Sequence, residues 1–114
     1  MSDFMISNYG QERGVNATEK ELEVFSIIVD VLNKSGHDAS ILELTRKASG
    51  YVTAVIRSDK YGPLDICRFK YTDKASWIVL PYFGTKKIYI TSPDDVRQYA
   101  EELSTQFLWE KQNL

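Results

Sequence analysis

One histidine, His37, and one cysteine, Cys67, are the chain's candidates for base and nucleophile, and neither has suitable company. A metal centre needs three or four ligands at compatible spacing, and no second histidine or cysteine is present to build one around His37. His37 follows the end of a helical segment, where a cation is favourable and solvent exposure is expected. A Cys67–His37 pair would require a strand cysteine from the core face to meet that loop. Cys67 therefore reads as a small buried hydrophobe. Pro63-Leu64-Asp65 opens a strand in a basic region, as in metal-dependent nucleases. Such sites also need a second carboxylate and a lysine converging on the scissile phosphate. No acidic residue stands two positions before a lysine, and Asp95-Val96-Arg97, the nearest approach, lies in a helix cap. Asp94 and Asp95 are accounted for by capping. Six scattered glycines form no phosphate-binding loop. The expectation is a non-enzymatic protein with no metal and no cofactor.

What remains is a set of aromatic and basic residues: Tyr51, Ile66, Arg68, Lys70, Trp77 and Val79. They matter only if the strands that carry them place them on one face. Segments near Ile41–Arg46 and Tyr51–Arg57 flank Ala48-Ser49-Gly50, a three-residue hairpin with glycine in the left-handed position. Pairing Lys47 with Tyr51 puts Leu42 and Leu44 on the face of Val52, Ala54 and Ile56. A third strand spans Leu64–Tyr71 after a turn at Asp59-Lys60-Tyr61-Gly62. With Ser58 opposite Pro63, Ala54 meets Cys67 and Val55 meets Ile66. A fourth strand spans Ser76–Tyr82, the turn at Asp73-Lys74 setting Phe69 opposite Ile78, Cys67 opposite Leu80 and Lys70 opposite Trp77. The three registers agree, and the core face reads Leu42, Leu44, Val52, Ala54, Ile56, Cys67, Phe69, Ile78 and Leu80.

The fifth strand, Lys86–Thr91, has two possible parities. A three-residue Phe83-Gly84-Thr85 loop brings Ile88 and Ile90 onto the core face and leaves Lys87 and Tyr89 outward. It is preferred because two isoleucines belong inside. Lys86 and Lys87 also blunt an exposed edge.

Two helices frame the strands. Thr18 and Glu21 form a capping-box pair, and Leu22, Phe25, Ile28 and Leu32 follow at helical spacing. Val24, Ile27, Val29 and Val31 widen that stripe, and Gly36 suits the position after the helix end. Ser92 and Pro93 start the last helix, whose inward stripe is Val96, Tyr99, Ala100, Leu103 and Phe107. The fold class expected is α+β: N-terminal helix, five-stranded antiparallel β-meander, C-terminal helix, stacked as a two-layer sandwich. One helix on each face is the rival arrangement. Residues 1–17 are polar and aperiodic, and are expected to form a loosely held arm before a single domain over 18–114. Phe4, Met5, Ile6 and Tyr9 are that arm's anchors, able to dock on the domain or a neighbour.

At 114 residues the chain is one domain by length, large enough for a core without staples. With one cysteine there is no internal disulfide framework, and no apolar run approaches membrane-spanning length. No basic-led apolar leader opens the sequence, so a cytoplasmic protein is expected. The net charge of −2 conceals a division. Residues 1–50 and 91–114 are each net −3, while 51–90 is net +4.

Read outward, the sheet carries Glu43, Thr45, Tyr51, Thr53, Val55, Ile66, Arg68, Lys70, Trp77, Val79 and Tyr89. Its ordinary reading is a half-solvated surface whose lysine stems cover aromatic rings. Its sharper reading is a contact surface, since Trp, Tyr and Arg around aliphatics match interface hot spots. Three occupants compete: a protein partner or second copy, the chain's own first helix or N-terminal arm, and single-stranded nucleic acid. Protein contact ranks first, which makes the chain a small protein-binding module such as an adaptor, inhibitor or subunit. Nucleic acid ranks last because the chain as a whole is acidic. No membrane partner is expected.

Overall fold

Thr18 opens the first helix, α1 (Glu19–Lys34), through a complete capping box. Its hydroxyl accepts from the Glu21 N–H at 3.1 Å, and the Glu21 carboxylate accepts from the Thr18 N–H at 2.8 Å. Two of the helix's orphan donors are thereby satisfied. Val24, Phe25, Ile28, Val31 and Leu32 form its buried stripe. At its end the His37 N–H donates to the Leu32 carbonyl and the Gly36 N–H to that of Asn33, both at 3.0 Å. This double closure needs a left-handed residue after the cap, and Gly36 supplies it at φ +90°.

The structure, a computed structural model, describes residues 18–46, 50–81, 84 and 86–112. The arm expected over 1–17 lies outside the described residues. A 3-10 turn at Ala39–Ile41, capped by Asp38 on the Ser40 N–H, delays the first strand by one residue. Five strands then follow: β1 (Leu42–Arg46), β2 (Val52–Ser58), β3 (Gly62–Tyr71), β4 (Ser76–Val79) and β5 (Ile88–Tyr89). They form one antiparallel sheet in sequence order.

Register decides which side chains share a face. β1 meets β2 with Leu44 opposite Ala54, and β3 meets β4 with Phe69 opposite Ile78 and Lys70 opposite Trp77, both as the sequence implies. The β2–β3 pairing departs in one place. Ser58 faces Gly62 instead of Pro63, because Gly62 at φ +76° closes a tighter turn. The Ser58 hydroxyl holds that turn by accepting from the Lys60 and Tyr61 N–H groups. The offset is absorbed by a β-bulge: Ala54 faces Cys67 while Val55 faces Asp65, leaving Ile66 as the extra residue. Ile66 is turned into the core, not outward.

β5 pairs Trp77 with Tyr89 and Ile78 with Ile88. A three-residue loop would have placed Ile90, not Ile88, opposite Ile78. The observed shift is two residues, an even number, so the faces are preserved: Ile90 is buried and Tyr89 points out. Residues 82, 83 and 85 of that loop lie outside the described residues.

The C-terminal segment starts as a 3-10 helix, Pro93–Tyr99, and continues as α2 (Ala100–Lys111). The Asp95 carboxylate accepts from the Thr91 N–H and hydroxyl, each at 2.7 Å, which holds it below its ordinary pKa. Val96, Leu103 and Phe107 are buried with the α1 stripe and the sheet's Leu42, Leu44, Val52, Ala54, Ile56, Cys67, Phe69, Ile78 and Leu80 in one cluster. Both helices therefore lie on the same face, and the one-helix-per-face arrangement is ruled out. Polar ties cross the helical layer. Arg97 donates to Asp30 at 2.7 Å, and His37 Nε2 and Ser104 Oγ stand 2.6 Å apart. Buried Gln106 donates to the Asp65 carbonyl beside the bulge at 3.3 Å.

Candidate functional site

The face opposite the helices is organised in rows set by the ladder. One row runs Thr45, Thr53, Arg68, Val79, and the next runs Lys70, Trp77, Tyr89. Tyr51 extends the second row, because it precedes Val52, which pairs with Phe69 beside Lys70. Cross-strand neighbours on one face stand close enough for direct side-chain contact. The Tyr51 and Trp77 rings lie 6.0 Å apart at 51°, a tilted pair. Lys87 Nζ sits 4.8 Å from the Trp77 ring centre, within cation–π range. Arg68 donates to Asp65 at 3.1 Å, so the bulge anchors the guanidinium to the rim.

These side chains enclose a hollow of about 460 Å³ lined by Tyr51, Arg68, Lys70, Ala75, Trp77, Val79 and Lys87. That volume falls within the range of small-molecule pockets. A neighbouring hollow of about 490 Å³ shares Ala75, Trp77 and Lys87 and reaches Lys74 and Tyr89. Lys87, lying over the indole, lines both. The combined groove has two rings in its floor, a third at one end in Tyr89, and cations along its rim with Asp73 among them. Tyr89 is 74 % exposed, whereas Trp77 is 8 % exposed.

Of the six residues expected on this face, Tyr51, Arg68, Lys70, Trp77 and Val79 line one hollow. Ile66 does not: the bulge sends it inward, so it is withdrawn as a contact residue. The continuous aliphatic patch Val55–Ile66–Val79 is broken in consequence. Val55, Trp77 and Val79 stand outside the core cluster, on the outer face, but they are buried there where an exposed face was expected. The sequence places Lys87 outward with Tyr89 as an edge-blunting charge, but not among the contact residues.

Elsewhere the chemistry is structural. Burial pushes the Cys67 thiol up to about 12, so its thiolate is not accessible near neutral pH. His37 is half-buried and not exposed as expected, because its ring packs 5.1 Å from Phe107 while its Nε2 meets Ser104. Among the described residues no three His, Cys, Asp or Glu side chains converge on a possible metal position. No described helix is long and apolar enough to cross a membrane. No protein-family model, curated protein or solved structure matches this chain.

Proposed function

We propose that the chain acts by association and not by catalysis, its outer-face groove receiving an acidic segment of a partner protein. The observation that carries this reading is the lining of the 460 Å³ hollow: two tilted aromatic rings with Arg68, Lys70 and Lys87 around them. Rings of this kind anchor an apolar or aromatic side chain, and the cations meet the carboxylates beside it. Asp65 engages Arg68, and Asp73, which lines the neighbouring hollow, engages Lys20, which leaves Lys70 and Lys87 to attract an anion. Loss of Ile66 from the face shifts the balance from apolar packing toward charge recognition.

A second reading, single-stranded nucleic acid, is favoured by one specific observation. Trp77 and Tyr89 lie on one face of adjacent strands with the Tyr51 ring 6.0 Å from Trp77, an arrangement on which bases stack. Both readings are tested by titrating the protein with a peptide of alternating Glu and Tyr and with an oligothymidylate, across a salt series. The protein reading expects saturable peptide binding that Trp77→Ala abolishes. Preferential oligonucleotide binding, weakening steeply with salt, transfers the site to nucleic acid. Binding of neither at low salt removes both. Light scattering of the purified chain shows whether a second copy is the partner.

A further inference from the structure

Three cations stand around the 460 Å³ hollow of the outer face, and one of them has an acidic partner. Arg68 donates to Asp65 through Nε at 3.1 Å, which leaves its two terminal nitrogens as donors. Among the described residues no carboxylate is paired with Lys70 or Lys87, and Asp73 of the neighbouring hollow is taken by Lys20. Three cations less one carboxylate leave this lining at +2. A single carboxylate side chain answers half of that charge. A phosphate monoester carries about −1.5 to −2 near pH 7 and offers three acceptor oxygens. Charge-assisted hydrogen bonds from two lysines and an arginine suit it.

We propose that the groove recognises a phosphorylated tyrosine in the partner's acidic segment, an inference that rests on the association reading above and makes its ligand specific. Where the charge lies selects the ring. Lys87 Nζ is 4.8 Å from the Trp77 ring centre, and Lys70 stands opposite Trp77 across the β3–β4 ladder. The Tyr51 ring leans toward the same indole at 6.0 Å, and Val79 and Ala75 complete the apolar lining. With cations this close to the aromatic wall, the anion has to be carried directly on the group that packs there. Phosphotyrosine meets that condition, because its phosphate is joined to its ring. A nucleotide holds its phosphate a sugar away from the base, and phosphoserine brings no ring. Trp77 is 8 % exposed, and the exposed Lys87 side chain lies over its ring. A cation over an aromatic ring at the surface is held more weakly than one bonded to phosphate. The arriving phosphate draws Lys87 off the indole, and the ligand's ring takes its place.

The test titrates the full chain with three versions of the alternating Glu–Tyr peptide, whose central residue is tyrosine, phosphotyrosine or phosphoserine. Phenyl phosphate and thymidine 5′-monophosphate serve as competitors. The phosphotyrosine peptide should bind roughly tenfold tighter than either of the others, with phenyl phosphate the better competitor. Lys70→Gln and Lys87→Gln should each reduce that gain to about twofold or less while keeping the denaturation midpoint. Equal affinity for the tyrosine and phosphotyrosine peptides overturns this inference and leaves the association reading standing. Equal affinity for the phosphoserine and phosphotyrosine peptides also overturns it, and assigns the groove to charge alone. Stronger competition by thymidine 5′-monophosphate overturns it in favour of a nucleotide. Binding of none of the three peptides overturns both this inference and the reading beneath it.

Discussion

The two faces of the sheet use the same strands and differ in almost everything else. On the inner face, alternate residues are aliphatic or Phe69 and Cys67, closed by two helices into one cluster. On the outer face, the alternates are threonine, valine, arginine, lysine and tryptophan, buried in part but assembled into a groove. The inner face is uniform because the hydrophobic effect is nondirectional and rewards only area removed from water. The outer face is mixed because charges, rings and hydroxyls are directional, and under the proposed function they would act only on a partner placed correctly. Period two in the sequence separates these roles, one residue at a time.

The largest expected effect belongs to the inner face. Phe69→Ala leaves a large cavity among Val52, Ile78 and the helices, and should cost about 3–5 kcal/mol in chemical denaturation. Trp77→Ala, one strand away but outward, should cost about 1–2 kcal/mol and keep a cooperative transition. If both variants lose stability equally, the indole is a core residue and the contrast between faces fails. Next is Thr53→Val, which replaces a buried hydroxyl lacking a partner with a methyl group. It should raise stability by about 1 kcal/mol, seen as an increased denaturation midpoint. A lower midpoint would show that the hydroxyl is bonded in solution.

The smallest effect is electrostatic and lies in the helical layer. Arg97 and, second, Lys34 hold the Asp30 carboxyl below its ordinary value, as Lys20 does for Asp73. A carboxyl depressed in the folded state contributes stability above its unfolded pKa and loses it as pH falls through the folded value. The melting temperature should therefore decline below about pH 4. Asp30→Asn should flatten that decline slightly, because these pairs are open to solvent and individually weak. An unchanged pH profile would show that Asp30 and Arg97 are not paired in solution.

Much of this was legible in the sequence because local rules and long-range ones agreed. Thr18-x-x-Glu21 and Gly36 bounded α1, and the hairpin residues fixed Leu44 on Ala54 and Phe69 on Ile78. The bulge was not legible. Its cause is a turn one residue tighter than read, set by Gly62 and the Ser58 hydroxyl, and period-two reasoning carries no correction for an inserted residue. Ile66 changed faces on that account. His37 was misplaced for a different reason: its contact with Ser104 and Phe107 joins segments 67 residues apart, beyond any local signal. The groove's membership was readable once parity was settled, except for Lys87, which the shift in β5 left on the predicted face but over an unforeseen ring.

The most direct test of the account uses Trp109→Phe, which leaves Trp77 as the sole indole. Its emission is followed while the alternating Glu–Tyr peptide is added at low salt. The account predicts a saturable change that Lys70→Glu abolishes without altering the denaturation midpoint of the protein. An emission that stays flat throughout the titration, or one that responds equally in the Lys70→Glu background, would contradict it.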